Sequence, residues 1–253
     1  MTTPQWAFVT GASRGIGREM ARALAAAKVN VAVQARTLDA TADLVAELTA
    51  AGVDAFAVAG DLGDSAAVRA MADEVAERAA IDLLFNNAGI QKPAQGTYWV
   101  ADAAEYADSF AVNVTAPMIL VERFLPGMVD RGFGRITNTS SGIENQPEQG
   151  AYAASKGALN KVTHDFAAVL GEASGVDVAM NISDPGWIRT DLGGPHAPND
   201  VTTVVPGMIV GGFTPVEING CWIGAQEFTG MTLEEAVAAA PEKVRRLAVT
   251  EPF

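Results

Sequence analysis

The chain has 253 residues, 49% apolar and 19% charged, a balance that excludes a disordered, collagen-like or disulfide-rich protein and allows one sizeable α/β core. Seventeen basic side chains against thirty acidic ones leave a formal charge of −13, which repels phosphate backbones and anionic lipid, so neither nucleic acid nor a membrane is an expected partner. Cys221 is the single cysteine and residues 1–6 lack the basic start and apolar run of a secretory signal, which points to a cytoplasmic protein.

Apolar runs of strand length alternate with alanine-rich segments of helical period from residue 6 to about residue 190, the rhythm of βαβ units. In chain order the expected elements are strand Trp6–Thr10, helix Ile16–Ala27, strand Val29–Ala35, helix Leu38–Ala51, strand Ala55–Ala59 and helix Ser65–Ala80. Strand Ile81–Phe85 follows, then a helix over Asp102–Val129 broken around Asn113–Pro117, strand Arg135–Thr139, helix Tyr152–Gly171 and strand Val176–Ile182. These strands mostly do not alternate in polarity, as expected when helices cover both faces of a parallel sheet. Right-handed crossovers then give a doubly wound layer with its site at the carboxyl ends of the strands. The apolar stretch Val201–Phe213 is interrupted by Pro206 and three glycines and is shorter than the roughly 20 residues a bilayer span needs. Trp222 and Ile223 continue a seventh strand, and Thr232-Leu233-Glu234-Glu235 fits a capping box for a helix running to about Leu247 and ending near Glu251-Pro252. One domain over residues 1–253 is the simplest account.

Strand Trp6–Thr10 runs directly into Gly11-Ala12-Ser13-Arg14-Gly15-Ile16-Gly17, after which the apolar spacing is helical at Ile16, Met20 and Leu24. Strand, tight turn and helix are the context a phosphate-binding glycine turn requires. Gly11 allows the sharp reversal, Gly15 lets the backbone approach a pyrophosphate, and Gly17 lets the helix pack close to the strand. The helix N-terminus presents free N–H groups and the positive end of its dipole. Glycines kept for loop conformation alone are the other reading.

The spacing Thr10-Gly-x-x-x-Gly-x-Gly17 resembles the cofactor turn of the short-chain dehydrogenase/reductase family. The family's other markers follow in order: Asp61-Leu62, Asn86-Asn87-Ala88-Gly89, Asn113, a serine after the fifth strand, Tyr152-x-x-x-Lys156 and Pro185-Gly186. The resemblance spans about residues 6 to 191. It implies a single Rossmann-type sheet of about seven strands, with residues 191–253 supplying a substrate lid, the last strand and an extra C-terminal helix.

NAD sites of this kind place an acid near the end of the second strand, for the adenine ribose hydroxyls. Here that end reads Val33-Gln34-Ala35-Arg36. Arg36 can clamp a 2′-phosphate that a carboxylate would repel, and Arg14 resembles the basic residue of NADP-preferring members, so NADP(H) is the expected cofactor; solvated surface charge is the alternative for both arginines. By resemblance, Gly11, Ser13, Gly15, Ile16, Gly17, Asn87, Ala88 and Gly89 line the cofactor site, and Asp61 and Leu62 border the adenine. Pro185, Gly186, Ile188 and Thr190 lie by the nicotinamide.

Tyr152 and Lys156 precede apolar residues at Leu159, Val162, Phe166 and Val169, so both emerge on one helix face. Hydride transfer to a carbonyl leaves an alkoxide that needs a proton, and the reverse reaction needs a base. The resemblance makes Tyr152 that general acid/base and Lys156 its activator and a ribose ligand. A phenol of pKa about 10 is a poor base at neutral pH, and a nearby ammonium lowers it. Gly134 to Ser141 resembles the family's fifth strand, whose second serine positions the carbonyl. Ser141 is therefore favoured; its separation of 11 residues from Tyr152 is shorter than the family's usual spacing and keeps Ser140 open, since successive strand residues face opposite sides. By resemblance Asn113 holds a water that links Lys156 to solvent. His164 and His196 lack spaced partners, so no metal is assigned, and Cys221 reads as a small core residue. Asp191 to His196 and Val204–Phe213 lie where the family's substrate lid usually forms, a lining suited to an apolar ketone or aldehyde; a buried helix is the other reading.

These readings imply an NADPH-dependent carbonyl reductase, or an alcohol dehydrogenase in reverse, acting on a small-molecule ketone or aldehyde. A 3-oxoacyl-thioester reductase is the second reading, although the acidic chain offers no basic patch for an acyl carrier. An NADPH-binding sensor or scaffold without turnover is the third, against which the set Asn113, Ser141, Tyr152 and Lys156 argues. The family's dimers and tetramers imply a homo-oligomer, up to a homotetramer, built on the helices near 102–129 and 152–171.

Overall fold

The computed structural model describes residues 6–91, 102–143, 149–172 and 175–246. Its strands are β1 (Trp6–Val9), β2 (Asn30–Ala35), β3 (Ala55–Ala59), β4 (Leu83–Asn86), β5 (Phe133–Thr139), β6 (Asp177–Asp184), β7 (Cys221–Gly224) and β8 (Arg245–Arg246). The helices are α1 (Gly15–Ala26), α2 (Ala42–Ala50), α3 (Ser65–Arg78), α4 (Ala103–Phe110), α5 (Ala116–Arg131), α6 (Gly150–Glu172), α7 (Val205–Ile209) and α8 (Leu233–Lys243).

The strands form one sheet in the order β3-β2-β1-β4-β5-β6-β7-β8, parallel from β3 to β7 and antiparallel only where β8 meets β7. Both faces are covered, which explains the unbroken apolar runs: in β4, Leu83 and Phe85 enter the core with Met20, Leu24, Leu44 and Met208, while Leu84 enters the opposite core with Val68, Met71, Leu120 and Phe124. The strand order reverses between β1 and β4, so a crevice opens beyond their carboxyl ends, the place where ligands bind in open α/β sheets.

Three local expectations need correction. The helix over Asp102–Val129 does not break near Asn113–Pro117; it runs on through a π-helical stretch, Ala111–Thr115, between α4 and α5. Pro117 has no N–H for the carbonyl one turn back, and widening the ladder absorbs that missing bond without ending the helix. The capping box at Thr232 and Glu235 forms, but α8 stops at Lys243 and the sheet gains an eighth strand. Val244 turns extended and carries Arg245 opposite Trp222 and Arg246 opposite Cys221, occupying an edge of β7 that would otherwise be bare. Leu247, Glu251 and Pro252 lie outside the described residues. Of the two readings for Val201–Phe213, the buried one is found: Val204, Val205, Met208, Ile209 and Val210 are core residues.

Candidate active site

The turn after β1 depends on backbone that only glycine adopts easily: φ is +67° at Gly11 and +57° at Gly15. A Cβ on Gly17 would stand 2.5 Å from both Asn87 Nδ2 and Gly11 O, so α1 reaches β4 only because that side chain is absent. Thr10 ties the two strand ends together. Its Oγ1 accepts the N–H groups of Asn87 and Ala88, both at 3.0 Å, and its carbonyl accepts Asn87 Nδ2 at 2.9 Å. Gln34, which sequence reasoning passed over, is buried between two loops: Oε1 accepts Gly11 N–H and Nε2 donates to Gly60 O, each at 2.8 Å. A buried glutamine ending an otherwise apolar strand was the available signal. Arg14 precedes α1 without a side-chain cap, leaving the first helical amides for a ligand.

Beside this turn lies a pocket of about 550 Å³ lined by Ser13, Arg14, Arg36, Thr37 and Ala40. Both arginines therefore flank one space. Arg14 also pairs with Asp191 at 3.0 Å, both side chains being largely exposed. Asp61 Oδ1 accepts Gly63 N–H at 2.9 Å, and the cap of α3 is Asp64 rather than Asp61. Leu62 is buried beside them. The uncapped helix start, the glycine cradle and two guanidiniums on one pocket fit a phosphorylated dinucleotide.

At the carboxyl end of β5, Lys156 is 2% exposed and donates to Thr139 O at 2.7 Å. Its ammonium lies 5.7 Å from the centre of the Tyr152 ring. The two serines differ in surroundings: Ser140 is buried and donates to Asn160 Oδ1, whereas Ser141 is near enough to the Tyr152 phenol to favour its ionised form. Asn113 is fully buried. Its Oδ1 accepts Ile90 N–H at 2.9 Å, and its Nδ2 donates to Ile90 O and Ser155 Oγ at 3.0 and 2.9 Å. Gly89 sits between the two: a Cβ there would lie 3.4 Å from Asn113 Oδ1 and from Lys156 Nζ. The Asn113 carbonyl receives no N–H from the residue four positions on, because that residue is Pro117.

The electrostatics differ from expectation. Burial, with the Asp184 charge adding to it, pushes the Tyr152 phenol up to about 12, and nearby Ser141 only partly offsets this. Burial also lowers Lys156 to about 8, against the Asp184 charge, which raises it. Without another positive charge beside it the phenol is held protonated, the state of a proton donor. Asp184, the last residue of β6, is the second group that sequence reasoning missed; it stands directly before the Pro185-Gly186 pair.

After β6, Gly186 has φ of +71°, and Pro185 O accepts Gln226 Nε2 at 3.0 Å. Ile188 is buried and bridged to Asn199, and Thr190 Oγ1 accepts Gly193 N–H at 3.1 Å. The Thr190 methyl would lie 3.4 Å from a Cβ on Gly15, so this segment closes against the glycine turn. A larger cavity, about 730 Å³, lies elsewhere, walled by Ala23, Phe133, Arg135, Ile209 and Val237; none of the candidate catalytic or cofactor-binding residues lines it.

The short chain dehydrogenase family profile matches residues 5–200. Over 192 residues the chain is 35% identical to a short chain dehydrogenase of Pseudocercospora fijiensis (strain CIRAD86), covering 75% of this chain and 61%, less than two thirds, of that protein. It is 34% identical over 190 residues to a 3-oxoacyl-(acyl-carrier-protein) reductase of Staphylococcus aureus (strain Mu50), covering 74% of this chain and 75% of the relative. Among solved structures, a 3-oxoacyl (acyl-carrier-protein) reductase from Agrobacterium tumefaciens C58 with NADP bound superposes with a TM-score of 0.68 at 31% identity, covering 74% of this chain and 71% of that one.

Proposed function

The chain belongs to the short chain dehydrogenase family, and from that membership we propose that it is an NADPH-dependent carbonyl reductase reducing a small ketone or aldehyde to the alcohol. The observation that carries this reading is the Tyr152 phenol, with Ser141 near enough to favour its ionised form and the Lys156 ammonium 5.7 Å from its ring centre, at the carboxyl end of a doubly wound sheet.

Gly11, Ser13, Gly15, Ile16 and Gly17 would hold the cofactor's pyrophosphate on the uncapped start of α1, and Arg14 and Arg36 its 2′-phosphate. Asp61 and Leu62 would border the adenine, Asn87, Ala88 and Gly89 the sugar side, and Pro185, Gly186, Ile188 and Thr190 the nicotinamide. NADPH supplies the hydride when bound. Ser141 donates a hydrogen bond to the substrate carbonyl and holds it in place. Tyr152, held protonated, gives its proton to the oxygen as negative charge develops there. Lys156, fixed on Thr139 O, orients the ribose and stabilises the phenolate left behind. Asn113 fastens the Gly89-Ile90 loop over the lysine, and its carbonyl holds the water through which the proton is replaced. We further propose a cytoplasmic homo-oligomer, dimer or tetramer, assembled on α4, α5 and α6; among the described residues no helix is long and apolar enough to cross a membrane.

NADPH and NADH consumption over a panel of ketones, aldehydes and oxoacyl thioesters tests the proposal. Tyr152→Phe should lower kcat/KM by about a hundredfold or more; full activity in that variant would refute the mechanism. Arg36→Ala should cut the NADPH preference roughly tenfold or more, and an unchanged ratio would remove the assignment of the 2′-phosphate site. The likeness to 3-oxoacyl-(acyl-carrier-protein) reductases favours an oxoacyl thioester as the second reading, and preference for the thioester arm of the panel would select it.

A further inference from the structure

Resting on the cofactor reading above, we propose that Gln34 is a positioning residue for the dinucleotide: by holding the Gly11 turn and the Gly60-Asp61 loop at a fixed separation, it sets the slot that receives the adenine end. Gln34 is the last residue but one of β2 and is 2% exposed. On one side β1 has already ended, at Val9 opposite Val33, whereas β3 on the other side still pairs Val58 with Gln34. From that place the side chain joins the two loops that follow the neighbouring strands. Its Oε1 accepts Gly11 N–H and its Nε2 donates to Gly60 O, each at 2.8 Å.

Backbone bonds run alongside, with Ala12 N–H donating to Gln34 O at 2.9 Å and Gly60 N–H to Ala35 O at 3.1 Å. Each of these ties one loop to β2; the side-chain amide alone links loop to loop. Its two ends meet an N–H and a carbonyl, so only one orientation of the amide satisfies both. A buried amide costs stability unless it is hydrogen-bonded, and an aliphatic side chain of the same length would fill the strand end as well. What the amide adds is a bridge of fixed length. Gly11 opens the turn that holds the pyrophosphate in the cofactor reading, and Gly60 directly precedes Asp61 and Leu62, which border the adenine in it. Loops already held in place spare the cost of ordering them when a ligand binds.

Fluorescence titration of the full chain with NADPH, and competition by 2′,5′-ADP as a probe of the adenine end alone, test this beside thermal melts and kcat at saturating NADPH. Gln34→Met keeps the length of the side chain and removes both hydrogen bonds; Kd for NADPH and for 2′,5′-ADP should each rise about tenfold, whereas kcat at saturating NADPH should fall far less. Gln34→Asn, a methylene too short to reach both loops, should show the same split and serves if the methionine variant fails to fold. A lowered melting temperature with wild-type Kd for both ligands would make Gln34 a structural tie only and overturn the proposal, as would a loss confined to kcat. If the wild type binds neither NADPH nor NADH, the cofactor reading itself fails; if it binds NADPH and the variants bind it equally well, this inference alone is lost.

Discussion

Lys156 carries an amine into a position that is 2% exposed, and burial lowers it from 10.5 to about 8. The folded state therefore binds fewer protons than the unfolded chain between those two values, and stability contributed by this residue rises with pH across that window. Below pH 8 the cost of burying the charge is fully present; above the unfolded value it is gone. Compared with Lys156→Met, the wild type should gain about 3 kcal/mol of relative stability over that window, read as a pH-dependent separation of denaturant midpoints. The comparison is read below pH 10, where the Tyr152 phenol, pushed up to about 12, keeps its proton in both proteins; a constant separation there would contradict the burial argument. Tyr152 and Lys156 were legible as a pair because their spacing is one helical turn. Asp184 and Gln34 were not: one lies 28 residues beyond Lys156 and the other near the end of a distant strand, and only folding brings Gln34 to the Gly11 turn and the charge of Asp184 to bear on Tyr152 and Lys156.

Helix α1 shows how one element depends on the missing side chain of a single residue. Gly17 lies on the first turn of α1, against the carboxyl ends of both β1 and β4, where an added methyl would meet Asn87 Nδ2 and Gly11 O at 2.5 Å. Gly17→Ala should therefore push the helix start away from β4, destabilise the fold by about 1 to 3 kcal/mol and weaken NADPH binding. Thermal melts and fluorescence titration measure the two effects; wild-type values in both would show that the close approach is dispensable. The glycine was readable in the sequence and its neighbour was not. The same limit applies to the stretch Ala111–Thr115, where a proline suggested an interruption but packing of α4 and α5 in one continuous line favoured a widened turn. It applies again at β8, where the sequence favoured more helix and the open edge of β7 took up Arg245 and Arg246 instead.

For the molecule as a whole, the two cores account for most large apolar side chains, and the exceptions are informative. Val129 and Val169 are 38% and 68% exposed on α5 and α6, with Tyr106 on α4 at 36%. Single exposed apolar residues are ordinary, but these three sit on the helices proposed to join subunits. Val169→Glu should place a charge in that interface and shift the sedimentation coefficient toward that of a single chain; an unchanged assembly would exclude this part of α6 from the contact.

By itself the sequence determined the class of fold, the order of its strands and helices, the glycine turn and the one-turn spacing of Tyr152 and Lys156, because each of these depends on local periodicity or on conformations open to particular residues. Tertiary structure alone decided that Ser140 is tied to Asn160, where Gln34 and Asp184 lie, how the 190s segment closes on Gly15, and that burial raises the phenol. Those outcomes depend on groups distant along the chain, on the solvent they exclude and on the charges they bring together, and none of these leaves a periodic trace in the order of residues.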